Sequence, residues 1–135
     1  MVHPEFSTDT EMMTHNDVAV IKMTDSLKNP SHMSPVTIAA ANAFAVGTRV
    51  IIAGYGSIGF RDLSGYIPNS AGKLNKTETT IAQIDSENSD LIVYKSQDGI
   101  ASACAGDSGG PMFIETEDGE LQLIGVTRGP VIDDQ

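Results

Sequence analysis

Apolar positions fall in short runs separated by turn residues, and most of the runs are rich in β-branched side chains. Val18-Ala19-Val20-Ile21-Lys22-Met23, entered through Asn16-Asp17, reads as a mostly buried strand. Arg49-Val50-Ile51-Ile52-Ala53 predicts a second strand ending at Gly54. Thr79 to Ile84 alternates less cleanly, and Leu91-Ile92-Val93-Tyr94 is a compact fourth run. Pro111 to Thr116 and Leu121 to Val126 flank Asp118-Gly119, a dipeptide that favours positive φ, so this pair predicts a β-hairpin. The one helical signal is the alanine-rich stretch from Thr37 to Val46, which predicts a short helix weakened by Asn42 and Gly47. Pro30, Ser31, Ser34 and Pro35 just before it read as a connector between two packed units. The remainder predicts an all-β architecture of about six short strands.

Composition narrows the picture. A chain of 135 residues has room for one domain. Leu, Ile, Val and Phe number 6, 13, 9 and 4, and 32 of 135 is about 24%. That fraction exceeds the roughly 20% below which disorder is the default, so the chain can build a core. Eighteen acidic against eight basic residues give a formal net charge of −10. Such a surface repels phosphate backbones, which argues against nucleic acid and anionic lipid as partners. The longest mainly apolar stretch, Val36 to Gly47, is shorter than the roughly eighteen residues a membrane-spanning helix needs. Met1-Val2-His3-Pro4-Glu5 has no basic start and no apolar run, so no signal peptide is visible there. Cys104 is the single cysteine and has no disulfide partner within the chain. No pattern calls for a metal or an organic cofactor.

Two motifs compete for the chemistry. Gly54-Tyr55-Gly56-Ser57-Ile58-Gly59 is a literal G-x-G-x-x-G directly after a strand. In a dinucleotide site those glycines bring a backbone turn against a pyrophosphate at a helix N-terminus. Here Gly65 and Pro68 would break any following helix, and no alternating strand–helix pattern supplies the context. A glycine-rich turn between strands is the better reading. The second motif, Cys104-Ala105-Gly106-Asp107-Ser108-Gly109-Gly110-Pro111, sets a serine on a tight glycine turn. Glycines there let backbone amides point toward an incoming carbonyl oxygen, and the serine needs a neighbouring base for activation.

This second motif closely resembles the nucleophile signature of chymotrypsin-like serine proteases. Asn16 to Met23 resembles the family segment that carries the triad aspartate, 108 − 17 = 91 residues upstream of Ser108. Ala53-Gly54-Tyr55-Gly56 resembles its Gly-Trp-Gly, with Tyr55 replacing tryptophan. The resemblance implies a chymotrypsin-like double β-barrel, here incomplete. Residues 1–34 would be the remnant of the first barrel with the connector, and 35–135 most of the second. It implies a serine-type endopeptidase acting on protein or peptide substrates through an acyl-enzyme, secreted or periplasmic by family habit. Ser108 would be the nucleophile, the amides of Gly106 and Ser108 the oxyanion hole, and Asp17 the triad acid. Asp107 would accept the ammonium group of a cleaved N-terminus in members activated by cleavage. Ser102 would floor the specificity pocket and, lacking a buried charge, favour apolar or aromatic side chains over basic ones. Thr127-Arg128-Gly129 stands where the family has Ser-Trp-Gly and would pair with the substrate backbone. Cys104 is usually disulfide-bonded in the family to a cysteine beyond the last strand seen here.

The family order is His, Asp, Ser. His3 fits an ordinary His-Pro position, His15 is two residues from Asp17, and His32 falls in the connector, so none reads as the general base. The chain therefore reads as an internal piece of a protease, inactive alone, whose catalytic histidine lies outside it. A catalytically inactive homologue that keeps the fold for binding is the alternative.

Overall fold

The computed structural model describes residues 1–8, 14–24, 34–58, 67, 70–86, 90–93 and 103–128. These form eight strands and, among the described residues, no helix. Strands β1 (Ser7–Thr8) and β2 (Thr14–His15) make a two-stranded antiparallel sheet. The other six are β3 (Thr37–Ile38), β4 (Arg49–Gly54), β5 (Asn75–Asp85), β6 (Asp90–Val93), β7 (Pro111–Glu115) and β8 (Leu121–Val126). They form one mixed sheet in the order β3-β8-β7-β4-β5-β6, parallel only between β3 and β8. The architecture is all-β and consistent with part of a chymotrypsin-like barrel.

The core follows from the period of two along each strand, which sends alternate side chains to one face. Val50 and Ile52 of β4 share that face with Met112 and Ile114 of β7 and with Ile81 of β5. Val50 and Ile81 are fully buried. Phe44, Leu91, Val93, Ala103 and Ile124 pack around this cluster. The uneven alternation from Thr79 to Ile84 has a cause: the pairing of β5 with β6 shifts register between Ile81 and Gln83. One extra residue there breaks the regular alternation, so that Ile81 pairs with Val93 and Ile84 with Leu91, and Ile84, next to the strand's end, stays exposed.

The hairpin expected around Asp118-Gly119 is present. Thr116 N–H donates to Glu120 O, Gly119 N–H donates to Thr116 O, and Gly119 has φ +81°. This is a three-residue loop closed by a left-handed glycine. Strand β4 ends at Gly54, as its sequence predicts.

Two expectations fail, for physical reasons. The stretch from Thr37 to Val46 is not helical. Thr37–Ile38 instead adds to the edge of β8, Ala39 N–H donates to Leu123 O, and the chain then turns through Ala40 to Ala43. An isolated helix of this length is marginal, and ladder bonds to an existing strand win. Among the described residues the Val18 to Met23 run forms no strand and makes a single bridge, Val2 to Ala19. Val18, Val20, Ile21 and Met23 are all exposed. β-branched composition favours extended backbone, but burial needs a facing surface, and none covers this run among the described residues.

Truncating Ile81 to alanine is expected to cost about 2–5 kcal/mol in urea-induced unfolding. The same change at Ile21, which is 83% exposed, should stay within about 0.5 kcal/mol. Similar costs at the two positions would contradict the placement of the core.

Candidate functional site

Residues 103–110 form a loop pinned at both ends to the sheet. Asp107 N–H donates to Cys104 O at 3.0 Å, and Gly110 N–H donates to Asp107 O at 2.9 Å. Gly109 N–H donates to Thr127 O at 2.8 Å, and Thr127 N–H returns a bond to Gly110 O at 2.7 Å. The start of β7 and the end of β8 thus fix the outgoing limb. Gly106 and Gly109 have φ of +95° and +83°, a backbone that side-chain-bearing residues rarely adopt. Ser108 lies exposed between them. Among the described residues, the N–H groups of Gly106 and Ser108 donate to nothing, while those of Asp107, Gly109 and Gly110 are all bonded.

The incoming limb is held by one carboxylate. Asp107 Oδ1 accepts the Gly56 N–H at 2.8 Å, and Asp107 Oδ2 accepts the Cys104 N–H at 2.8 Å. Beside them Ser57 N–H donates to Ala105 O at 2.9 Å. Hydrogen bonds to an ionised acceptor are roughly twice as strong as neutral ones. Asp107 is half-buried, and a cavity of about 220 Å³ lined by Ile52, Gly54, Ile58 and Ala103 opens next to it. Its carboxylate retains lone-pair capacity for a further donor on that side. The Met1 amine does not fill it, since it donates to Val20 O. Sequence reasoning treated the two glycine motifs separately. Their meeting through Asp107 is the feature it missed, and its only trace in the sequence is that both motifs match one family.

Asp17 stands on a different part of the chain. Asn16 has φ +53° and its Nδ2 donates to Glu5 O, while Val18 N–H donates back to Asn16 O at 2.8 Å. Asp17 is therefore the apex of a three-residue turn, exposed, and on the two-stranded unit. Among the described residues, that unit shares no strand pairing with the sheet that leads into the Ser108 loop. His3 Nδ1 accepts the Glu5 N–H at 3.2 Å, a local turn contact. Ser102, Gly129 and His32 lie outside the described residues, and of His15 only the backbone is described. Among the described residues, no three His, Cys, Asp or Glu side chains gather as metal ligands. Among the described residues, no helix is long and apolar enough to cross a membrane.

Arg128 is half-buried and Thr127 is buried. The Thr127 Oγ1 finds no hydrogen-bond partner among the described residues. An unpaired buried hydroxyl costs about 1–3 kcal/mol, whereas an apolar group of the same shape carries no such penalty. Thr127→Val is accordingly expected to leave unfolding stability unchanged or raise it by about 1 kcal/mol. A loss of similar size would show that the hydroxyl is satisfied.

Comparison with known proteins covers both parts. The family model for trypsin matches residues 1–131. Serine protease 1 of Rattus norvegicus is 30% identical over 129 residues, which are 90% of this chain and 48% of that protein. Serine proteinase stubble of Drosophila melanogaster is 22% identical over 142 residues, 93% of this chain and 16% of its own length. Atrial natriuretic peptide-converting enzyme of Mus musculus is 24% identical over 137 residues, 94% of this chain and 11% of its own. The chain spans less than half the length of each of these relatives. The trypsin family model matches residues 1–131, a span that includes the Asp17 turn and the Ser108 loop, and the chain therefore belongs to the trypsin family.

Proposed function

We propose that the chain supplies the nucleophile, the oxyanion hole and the triad acid of a serine endopeptidase. One observation carries the reading: among the described residues the Gly106 and Ser108 amides donate to nothing, while the Asp107, Gly109 and Gly110 amides around the serine are bonded. Two free N–H groups flanking an exposed serine, on a backbone fixed from both sides, are what an acyl-transfer oxyanion requires. Ser108 Oγ would attack the substrate carbonyl, and the tetrahedral oxyanion would accept bonds from Gly106 and Ser108. Peptide cleavage would proceed through an acyl-enzyme on Ser108.

Serine is a weak nucleophile without a base. We assign that base to a histidine outside residues 1–135, with Asp17 orienting it, since His3 Nδ1 is engaged by the Glu5 amide. Ser102, Thr127, Arg128 and Gly129 would line the substrate side, with Ser102 favouring apolar or aromatic over basic side chains. Asp107 would take an N-terminal ammonium in the adjoining cavity where activation is by cleavage. Residues 1–34 and 35–135 are assigned to successive barrels of the whole protein, which is taken as secreted or periplasmic after its family.

The test uses the product of the complete coding region and a panel of peptide nitroanilides. Turnover is expected, with apolar side chains preferred, and Ser108→Ala should lower kcat by roughly 10⁴- to 10⁶-fold. Turnover that survives Ser108→Ala contradicts the assignment. A wild type that neither hydrolyses the panel nor reacts with a fluorophosphonate instead makes the protein an inactive homologue that binds.

A further inference from the structure

The glycines of the first motif have no nucleotide to cradle, yet their positions are sterically demanding. Neither Gly54 nor Gly56 has a positive φ, so backbone freedom is not what requires them. Contact is. A Cβ on Gly54 would collide with Oδ1 of Asp107, and the nearest three atoms it meets all belong to that side chain. A Cβ on Gly56 would stand 2.7 Å from both Ala105 O and the Asp107 carboxylate. Cβ atoms do not approach heavy atoms this closely, so the carboxylate or the loop backbone would have to move. From the other side, a Cβ on Gly106 would lie 3.0 Å from the Gly56 Cα, and one on Gly110 would lie 2.7 Å from Ala53 O. The turn after β4 and the 103–110 loop are thus in backbone contact across their length.

We propose that Gly54 and Gly56 are positioning residues for the oxyanion loop: together they form a side-chain-free seat that receives the Asp107 carboxylate. The seat does two things. Gly54 clears the volume that the carboxylate occupies, and the Gly56 N–H fixes Oδ1, leaving Oδ2 to hold Cys104. Asp107 then sets the backbone on both sides of itself, which includes the free amides of Gly106 and Ser108. Neither glycine touches a reacting atom. The consequence for catalysis rests on the proposed function, but the seat itself does not.

A double-mutant cycle read by amide hydrogen exchange on the full-length protein separates the two. Gly54→Ala and Asp107→Ala are each expected to speed exchange of the 103–110 backbone by about tenfold or more, with the Thr116–Glu120 hairpin turn unchanged. Because Asp107→Ala removes the two atoms nearest a Gly54 Cβ and leaves the Asp107 Cβ at 3.2 Å, the double variant should exchange no more than about twofold faster than Asp107→Ala. No acceleration in Gly54→Ala, or two effects that multiply independently, would overturn the proposal. Where Gly54→Ala does not fold, Asp107→Asn decides it, since it adds no bulk to the seat. Asparagine keeps one acceptor oxygen in place of two, so release of at least one of the Gly56 and Cys104 amides is then expected, and unchanged protection of both contradicts the seat. None of these readouts needs turnover, so an inactive wild type would count against the proposed function and leave the seat decided on its own terms.

Discussion

One carboxylate organises the site. Asp107 receives an amide from the turn after β4 and an amide from its own loop, and it is the residue just before the exposed serine. A charged acceptor satisfied by two backbone donors is a strong local restraint, because each bond is charge-assisted. Without it, Gly106, which as a glycine is free to leave its left-handed backbone, would be held only by the bonds of Asp107 N–H to Cys104 O and of Ser57 N–H to Ala105 O. The geometry of the two free amides is therefore a consequence of where Asp107 sits, and the seat built by Gly54 and Gly56 decides where that is.

The sheet supplies the frame for that restraint. β4 and β7 are adjacent, and the core cluster of Val50, Ile52, Ile81, Met112 and Ile114 locks them and β5 together. The glycine turn grows from the end of β4, and the serine loop leads into the start of β7. Burial in one small core thus fixes the spacing of two functional turns. The outgoing limb is anchored again by the exchange of bonds between Thr127 and the glycines that follow Ser108. A rigid sheet with short, bonded loops at one end is a suitable carrier for a preorganised oxyanion site.

Much of this was legible in the sequence, and the failures share a cause. Strands with a compact β-branched run or a clear turn signal, such as Arg49–Gly54 and the Gly119 hairpin, form as expected. The register slip in β5 leaves its mark in the sequence as uneven alternation. The Val18 to Met23 run and the Thr37 to Val46 stretch both depended on partners that local pattern does not encode: a covering surface for the first, an available strand edge for the second. Asp17 was found by motif, but its three-residue turn, set up by a left-handed Asn16, has no signal beyond an Asn-Asp pair. The contact between the two glycine motifs joins residues about fifty apart and is invisible to any windowed reading.

The most direct measurement is a crystal structure of the full-length protein reacted with a peptide boronate bearing an apolar side chain. The account predicts a covalent bond to Ser108 Oγ, with one boronate oxygen about 2.7–3.1 Å from both the Gly106 and Ser108 amide nitrogens. An adduct at any other residue, or a boronate oxygen directed away from those two amides, would contradict it.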